Sequence, residues 1–182
     1  MDYAFKNSPK DHLTQMVLGE NGFKIVIDGA TYNYKYSDIT RVWLNNPEGF
    51  IAPGEYSCTV NIVDKKPIYI TSKNFDQNGL FIEQSHHYNS FVRVLHMHIK
   101  SNKAAEFKFG TTPARYLKRV AIIALILTAC IASIITFNSN PFYFIVPSVF
   151  GVFVTIYGLQ FCITRFPKGY NPDNIPLELL PA

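Results

Sequence analysis

The sequence predicts an α+β protein in two parts: an antiparallel β-meander or barrel capped by one helix, then a transmembrane hairpin of two helices. Three observations carry this. From Val120 through Thr164 there are 45 consecutive positions without an Asp, Glu, Lys, Arg or His, enough for two membrane spans. From residue 13 to about 72 apolar and polar side chains alternate with period two, the mark of half-buried strands. Beyond residue 80 the period lengthens to that of an amphipathic helix.

The average composition conceals this division. Of 182 residues, 48% are hydrophobic and 16% charged, with a net charge of +4 and a mean hydropathy of +0.06, values ordinary for a globular chain. All the charge falls outside the apolar block, which excludes a purely soluble protein. Three segments follow: a cytoplasmic β-domain with its closing helix over 1–112, the hairpin over 113–164, and a proline-rich cytoplasmic tail over 165–182. Met1 to Leu13 lack the apolar core of a signal peptide, so the first domain is expected on the side of synthesis.

Within the first part, Phe23, Ile25 and Ile27 alternate on one face, and Tyr32, Tyr34 and Tyr36 repeat the pattern. Asn21-Gly22 and Asp28-Gly29 read as hairpin turns, since glycine accepts the positive φ that tight turns demand. Strands are expected near 13–19, 23–28, 31–36, 39–45, 56–63 and 67–72, with Asp64-Lys65-Lys66 turning the last pair. Leu80, Phe81, Gln84, Tyr88, Phe91, Val92, Leu95 and Ile99 then share a helical face, placing a helix over 84–101 with a start as early as Gly79. One such helix is the natural cover for the open end of a curved sheet. Ala104 to Gly110 is either a short strand or a linker.

The apolar block divides into Val120–Phe137 and Phe142–Ile163. At about 1.5 Å per residue these span roughly 27 and 33 Å, which brackets a hydrocarbon core of about 30 Å. Asn138-Ser139-Asn140-Pro141 leaves room only for a tight reversal. Thr112 and Pro113 read as the N-cap and first residue of the first helix. Arg115, Lys118 and Arg119 precede the first span, Arg165 and Lys168 follow the second, and the turn is uncharged, so both termini are expected in the cytoplasm of a two-pass protein of the cell (inner) membrane. Small residues let helices approach closely in lipid; Ala124, Thr128 and Ala132 on one helix and Gly151, Thr155 and Gly158 on the other are the expected packing faces. Pro147 is expected to kink the second helix, with Ser148 helping to satisfy the carbonyl it frees. No ionisable residue lies at membrane depth, which argues against a transport path through the hairpin alone.

The six-strand meander, the run Tyr36-Ser37-Asp38-Ile39-Thr40-Arg41-Val42-Trp43-Leu44 and the closing helix resemble the pleckstrin-homology-like (PH-like) superfold in its bacterial membrane-anchored versions. The likeness covers about residues 12–102, with Ile39, Val42 and Leu44 matching the family's strand pattern. Lipid-binding members carry several basic residues across the first hairpin, whereas Leu18 to Asp28 offers only Lys24, so headgroup recognition is not expected there.

Catalytic and metal signatures are absent from the sequence. There is no nucleophile elbow, zinc-protease motif, phosphate loop or Cys-x-x-Cys. His86, His87, His96 and His98 lie on the expected helix without the three- or four-residue spacing a metal site needs, and are placed at its surface or flank. Cys58, Cys130 and Cys162 read as small apolar fillers. No cofactor and no catalytic residue is expected. The first 112 residues hold 12 basic and 11 acidic side chains, which gives no nucleic-acid footprint.

The expected partners are the lipid bilayer and a protein, with room for a homo-oligomer. Trp43, Lys65, Lys66 and the tail residues Ile175 and Leu177 are the candidate contacts. For the tail two readings stand: packing back on its own β-domain, or serving as an extended ligand for another protein. The function read from these features is a membrane-anchored, non-enzymatic module that recruits or regulates a protein partner. The alternative is a small accessory subunit of a larger membrane complex.

Overall fold

The computed structural model describes residues 1–45, 55–76, 78–136 and 141–181. The fold is α+β, with antiparallel sheets and three described helices, two of them long and apolar. The chain divides into two compact units, one of residues 1–109 with 168–182, the other of 110–167. The C-terminal segment therefore belongs to the β-domain, and the helical hairpin is an insertion within that domain.

In the first unit, β1 (Asp2–Phe5), β2 (Thr14–Leu18), β3 (Gly22–Ile27) and β4 (Ala30–Lys35) form an antiparallel sheet in that order. Period-two alternation sets its register: Met16 faces Ile25 and Leu18 faces Phe23, all four side chains buried, because slipping by one residue would turn this apolar set to water. Asp28 (φ 51°) and Gly29 (φ 78°) close the β3–β4 hairpin as expected for a two-residue turn with two positive φ angles. Gly22 has a different role from the one its Asn-Gly sequence predicts. It opens β3 without a positive φ, and a Cβ there would overlap the Tyr34 carbonyl, so the missing side chain serves close strand approach.

After a 3₁₀ turn at Tyr36–Asp38, β5 (Ile39–Asn45), β6 (Ser57–Ile62) and β7 (Ile68–Thr71) continue as a second antiparallel run. A small hairpin of β8 (Lys73–Phe75) and β9 (Phe81–Glu83) precedes α1 (Ser85–Ile99). Leu80 and Phe81, expected on the helix face, instead lie before it, 65% and 48% exposed. The helix begins only where a continuous apolar stripe can be buried: Tyr88, Phe91, Val92, Leu95 and Ile99 all face the core. Tyr3 of β1 stacks on Phe91 at 5.2 Å between centroids, and its hydroxyl donates to the Thr71 carbonyl at 2.6 Å.

The arrangement exceeds the expected six-strand meander. β1 was too short for its two inward residues, Tyr3 and Phe5, to register as a period. β10 (Glu106–Phe109) realises the strand option for 104–110, but it pairs with β5 in parallel, a non-local pairing that a strand-by-strand reading does not reveal. Beyond β10 lies β11 (Lys168–Gly169), antiparallel to it, from the far side of the hairpin.

The second unit contains α2 (Pro113–Thr136) and α3 (Pro141–Thr164). α2 starts at the expected Pro113, and the Thr112 carbonyl accepts from Tyr116 N–H. Both helices are long and apolar enough to cross a membrane. None of the most apolar stretch of α2 is buried, and only 11% of that of α3. A core helix of a water-soluble protein would show the opposite. The expected reversal at Asn138, Ser139 and Asn140 lies outside the described residues.

Candidate functional site

The chain leaves the β-domain after β10 and re-enters it at β11. Three residues, Gly110 to Thr112, separate β10 from α2, and three, Arg165 to Pro167, separate α3 from β11. The strands at these two exits pair with each other, Phe109 opposite Lys168 and Lys108 opposite Gly169. From there the tail packs on its own domain. Ile175, Leu179 and Leu180 enter the main core, Asn89 donates to the Pro181 carbonyl at 3.1 Å, and Lys100 pairs with Asp173 at 2.9 Å.

A buried polar contact fixes the start of this tail. His96 is 1% exposed, where a place at the helix surface or flank was expected. Nδ1 lies 2.7 Å from the Val92 carbonyl and Nε2 lies 2.6 Å from the Tyr170 hydroxyl. A carbonyl can only accept, so Nδ1 carries the proton and Nε2 accepts from the tyrosine. Burial pushes the imidazole down to about 4, partly opposed by the Val92 hydrogen bond, and burial, with a smaller contribution from Cys58, raises the Tyr170 phenol. Both groups are thus held neutral. Phe107 packs on His96 and Tyr170 at 5.6 and 5.9 Å between centroids. The spacing of His96 from Val92 and Ile99 places it at the edge of the buried stripe, but its hydrogen-bond partner Tyr170 lies 74 residues away in the sequence.

The candidate partner contacts separate by exposure. Trp43 and Ile175 are buried, at 6% and 8%, Ile175 within the main core and Trp43 on the face of β5 opposite Val42 and Leu44. For Ile175 the cause is tail packing. Lys65 and Lys66 are exposed on the β6–β7 turn, next to Asp64 with φ 53°. Leu177 is 79% exposed, on a 3₁₀ turn whose neighbour Leu179 is buried. Lys65, Lys66 and Leu177 are therefore the members of the expected set open to a partner.

In the hairpin, Gly151 and Gly158 face α2, where a Cβ would come within 3.8 Å of Cys130 Cβ and 3.0 Å of Ile123 Cγ2. Ala124, Thr128, Ala132 and Thr155 are exposed and do not form the expected packing face. α2 instead offers bulky side chains such as Ile123, which fit over the space that glycine leaves, so only one helix needs the small residues. Thr128, Ser148 and Thr155 each donate to a carbonyl of the preceding turn of their own helix, which satisfies the hydroxyls without a partner chain. The Ser148 bond goes to Phe144, not to the Tyr143 carbonyl left without its usual donor by Pro147. At the charged end, Tyr116 stacks on Phe161 at 5.6 Å and Arg119 lies 5.6 Å from the same ring, a combination suited to a membrane interface.

Among the described residues no three His, Cys, Asp or Glu side chains come together. Cys58 is fully buried and its thiol is pushed up to about 12 by burial, which suppresses the thiolate needed for nucleophilic chemistry. No protein-family model matches this chain, and no curated protein or solved structure shows significant similarity to it.

Proposed function

We propose that the chain is a membrane-anchored, non-enzymatic module that presents a PH-like cytoplasmic domain to a protein partner. The observation that carries this reading is the pair of lipid-compatible helices inserted between two paired strands of one β-domain. Each connection is three residues long, so the domain would be tethered twice, and confinement raises the effective concentration of any weak contact at the membrane. The PH-like reading is supported by the four-strand sheet, the β5–β6–β7 run and the covering helix α1. Lys65, Lys66 and Leu177 are the proposed partner contacts. Affinity capture from native membranes with the full chain is the test, with a Lys65→Ala/Lys66→Ala/Leu177→Ala variant beside it. A protein that the wild type retains and the variant loses is the expected result; identical retention by both overturns the assignment of these residues.

The cytoplasmic placement of both termini is tested by Ser139→Cys. An impermeant thiol reagent should label it in intact cells, and protection there overturns the orientation. A second reading, an accessory subunit of a larger membrane complex, is favoured by the exposure of Ala124, Thr128 and Ala132 on a face of α2 turned away from α3. A stable high-mass band in blue-native electrophoresis would support the subunit, and a free monomer or dimer the tethered module.

A further inference from the structure

We infer that the outer edge of β4 is a self-association surface, on which a second copy of this chain adds its own β4 in antiparallel register. The inference rests on the membrane-anchored reading, because the tether supplies the concentration that so small a contact requires.

The register of the β3–β4 hairpin determines which backbone groups are free. Its two-residue turn makes Ile27 and Ala30 a hydrogen-bonded pair, followed by Ile25 with Tyr32 and Phe23 with Tyr34. The N–H and C=O groups of Thr31, Asn33 and Lys35 therefore point away from β3. Lys35 N–H is already used, donating to Asp38 Oδ2 at 3.3 Å, as that parity requires. Thr31 and Asn33 keep two donors and two acceptors without a partner among the described residues.

Unpaired strand edges are commonly protected by charge, proline, a bulge or a covering segment. Other edges of this domain show such cover. On β7 the outward carbonyls of Tyr69 and Thr71 accept from Asn7 Nδ2 and Tyr3 Oη. β1 continues into Lys6, whose N–H donates to Oδ1 of Asn74 in β8. Among the described residues β4 has no comparable device. Its run Ala30-Thr31-Tyr32-Asn33-Tyr34 is uncharged, without proline, and is in regular register with β3 throughout.

The charges at the two ends of β4 select a second copy as occupant. The strand begins at the Asp28-Gly29 turn and ends at Lys35. In an antiparallel pair centred on Tyr32, Thr31 of each copy faces Asn33 of the other and four backbone hydrogen bonds form. Each Lys35 then lies opposite Gly29 of its partner, beside the exposed Asp28 carboxylate, whose Oδ1 also lies 2.8 Å from His12 Nδ1 of its own chain, so the two ends are complementary by symmetry. Tyr32, 50% exposed, meets its own counterpart on the twofold axis in a non-hydrogen-bonded pair, where Cα atoms lie about 4.5 Å apart. A five-residue strand contact falls well short of the roughly 1,200 Å² of a standard interface, so association should depend on confinement in the membrane.

The experiment uses the full chain in native membranes, in a Cys130→Ser/Cys162→Ser background carrying Tyr32→Cys, under mild oxidation. The axial pair meets disulfide geometry, so a covalent dimer should form in several-fold higher yield than with Tyr69→Cys, whose parent residue is similarly exposed at 55%. Thr31→Pro removes an outward N–H but no bond to β3, and should reduce the yield to the Tyr69→Cys level. Lys35→Asp, an exposed change that leaves the backbone intact, should also reduce it by bringing like charges together. Equal yields at Tyr32→Cys and Tyr69→Cys, an adduct with a different protein, or indifference to both added substitutions would overturn the inference. Sedimentation of the same membranes separates this failure from failure of the anchoring reading: a chain that pellets without cross-linking refutes only the dimer.

Discussion

Leu179→Ala measures whether the C-terminal segment is structurally part of the β-domain. Leu179 is 1% exposed within the main core, more than 60 residues beyond β10 and on the far side of the hairpin. Truncating a fully buried leucine removes its transfer free energy and leaves a cavity, together about 2–5 kcal/mol. Taking about 3 kcal/mol, and roughly 3–5 °C per kcal/mol for a domain of on the order of 120 residues, Tm should fall by about 10–15 °C. Trp43 is the single tryptophan of the chain and lies buried on β5, so its emission during thermal unfolding of the detergent-solubilised full chain follows a strand of the β-domain. Leu177→Ala is the internal control. Its parent is 79% exposed, and a surface truncation of this kind stays within about 0.5 kcal/mol. Equal shifts for the two variants would refute the packing of the tail, as would a Leu179→Ala protein as stable as wild type.

Other predictions concern the buried polar groups and the hairpin. His96 is depressed to about 4 in the folded state against about 6.5 unfolded, so the unfolded chain binds the extra proton. Its contribution is present above pH 6.5 and lost as pH falls toward 4, a loss on the order of 2–3 kcal/mol; urea midpoints followed by Trp43 should show this slope, and His96→Gln should remove it. Tyr170→Phe leaves Nε2 of His96 buried without its donor and should cost about 1–3 kcal/mol. Tyr88→Phe should cost nothing or stabilise, since the buried Tyr88 hydroxyl has no partner among the described residues; a loss comparable to that of Tyr170→Phe would show that the hydroxyl is satisfied. Gly151→Cys should form a disulfide with Cys130 under oxidation, because the Cβ positions are 3.8 Å apart, close to the mean for disulfides. Continued alkylation of both thiols would refute the helix pairing.

Local periodicity and composition are enough to account for part of this architecture. The central strands, the buried face of α1 and the two lipid-compatible helices follow from side-chain period and from a 45-residue block without charge, because each pattern is satisfied within its own element. Tertiary structure decided what depends on distant partners. The parallel placement of β10 on β5, the β10–β11 pair and the burial of His96 against Tyr170 join segments on opposite sides of the hairpin or more than 60 residues apart. Of the candidate contacts, Ile175 was apolar enough for either fate, and only the core it joins decided between them. In the same way the glycines of α3 were legible as packing residues, but the choice of Ile123 over Ala124 as their neighbour came from the rotation of α2 against α3. A residue's period fixes which neighbours share its face, while burial of that face depends on what the rest of the chain brings to it.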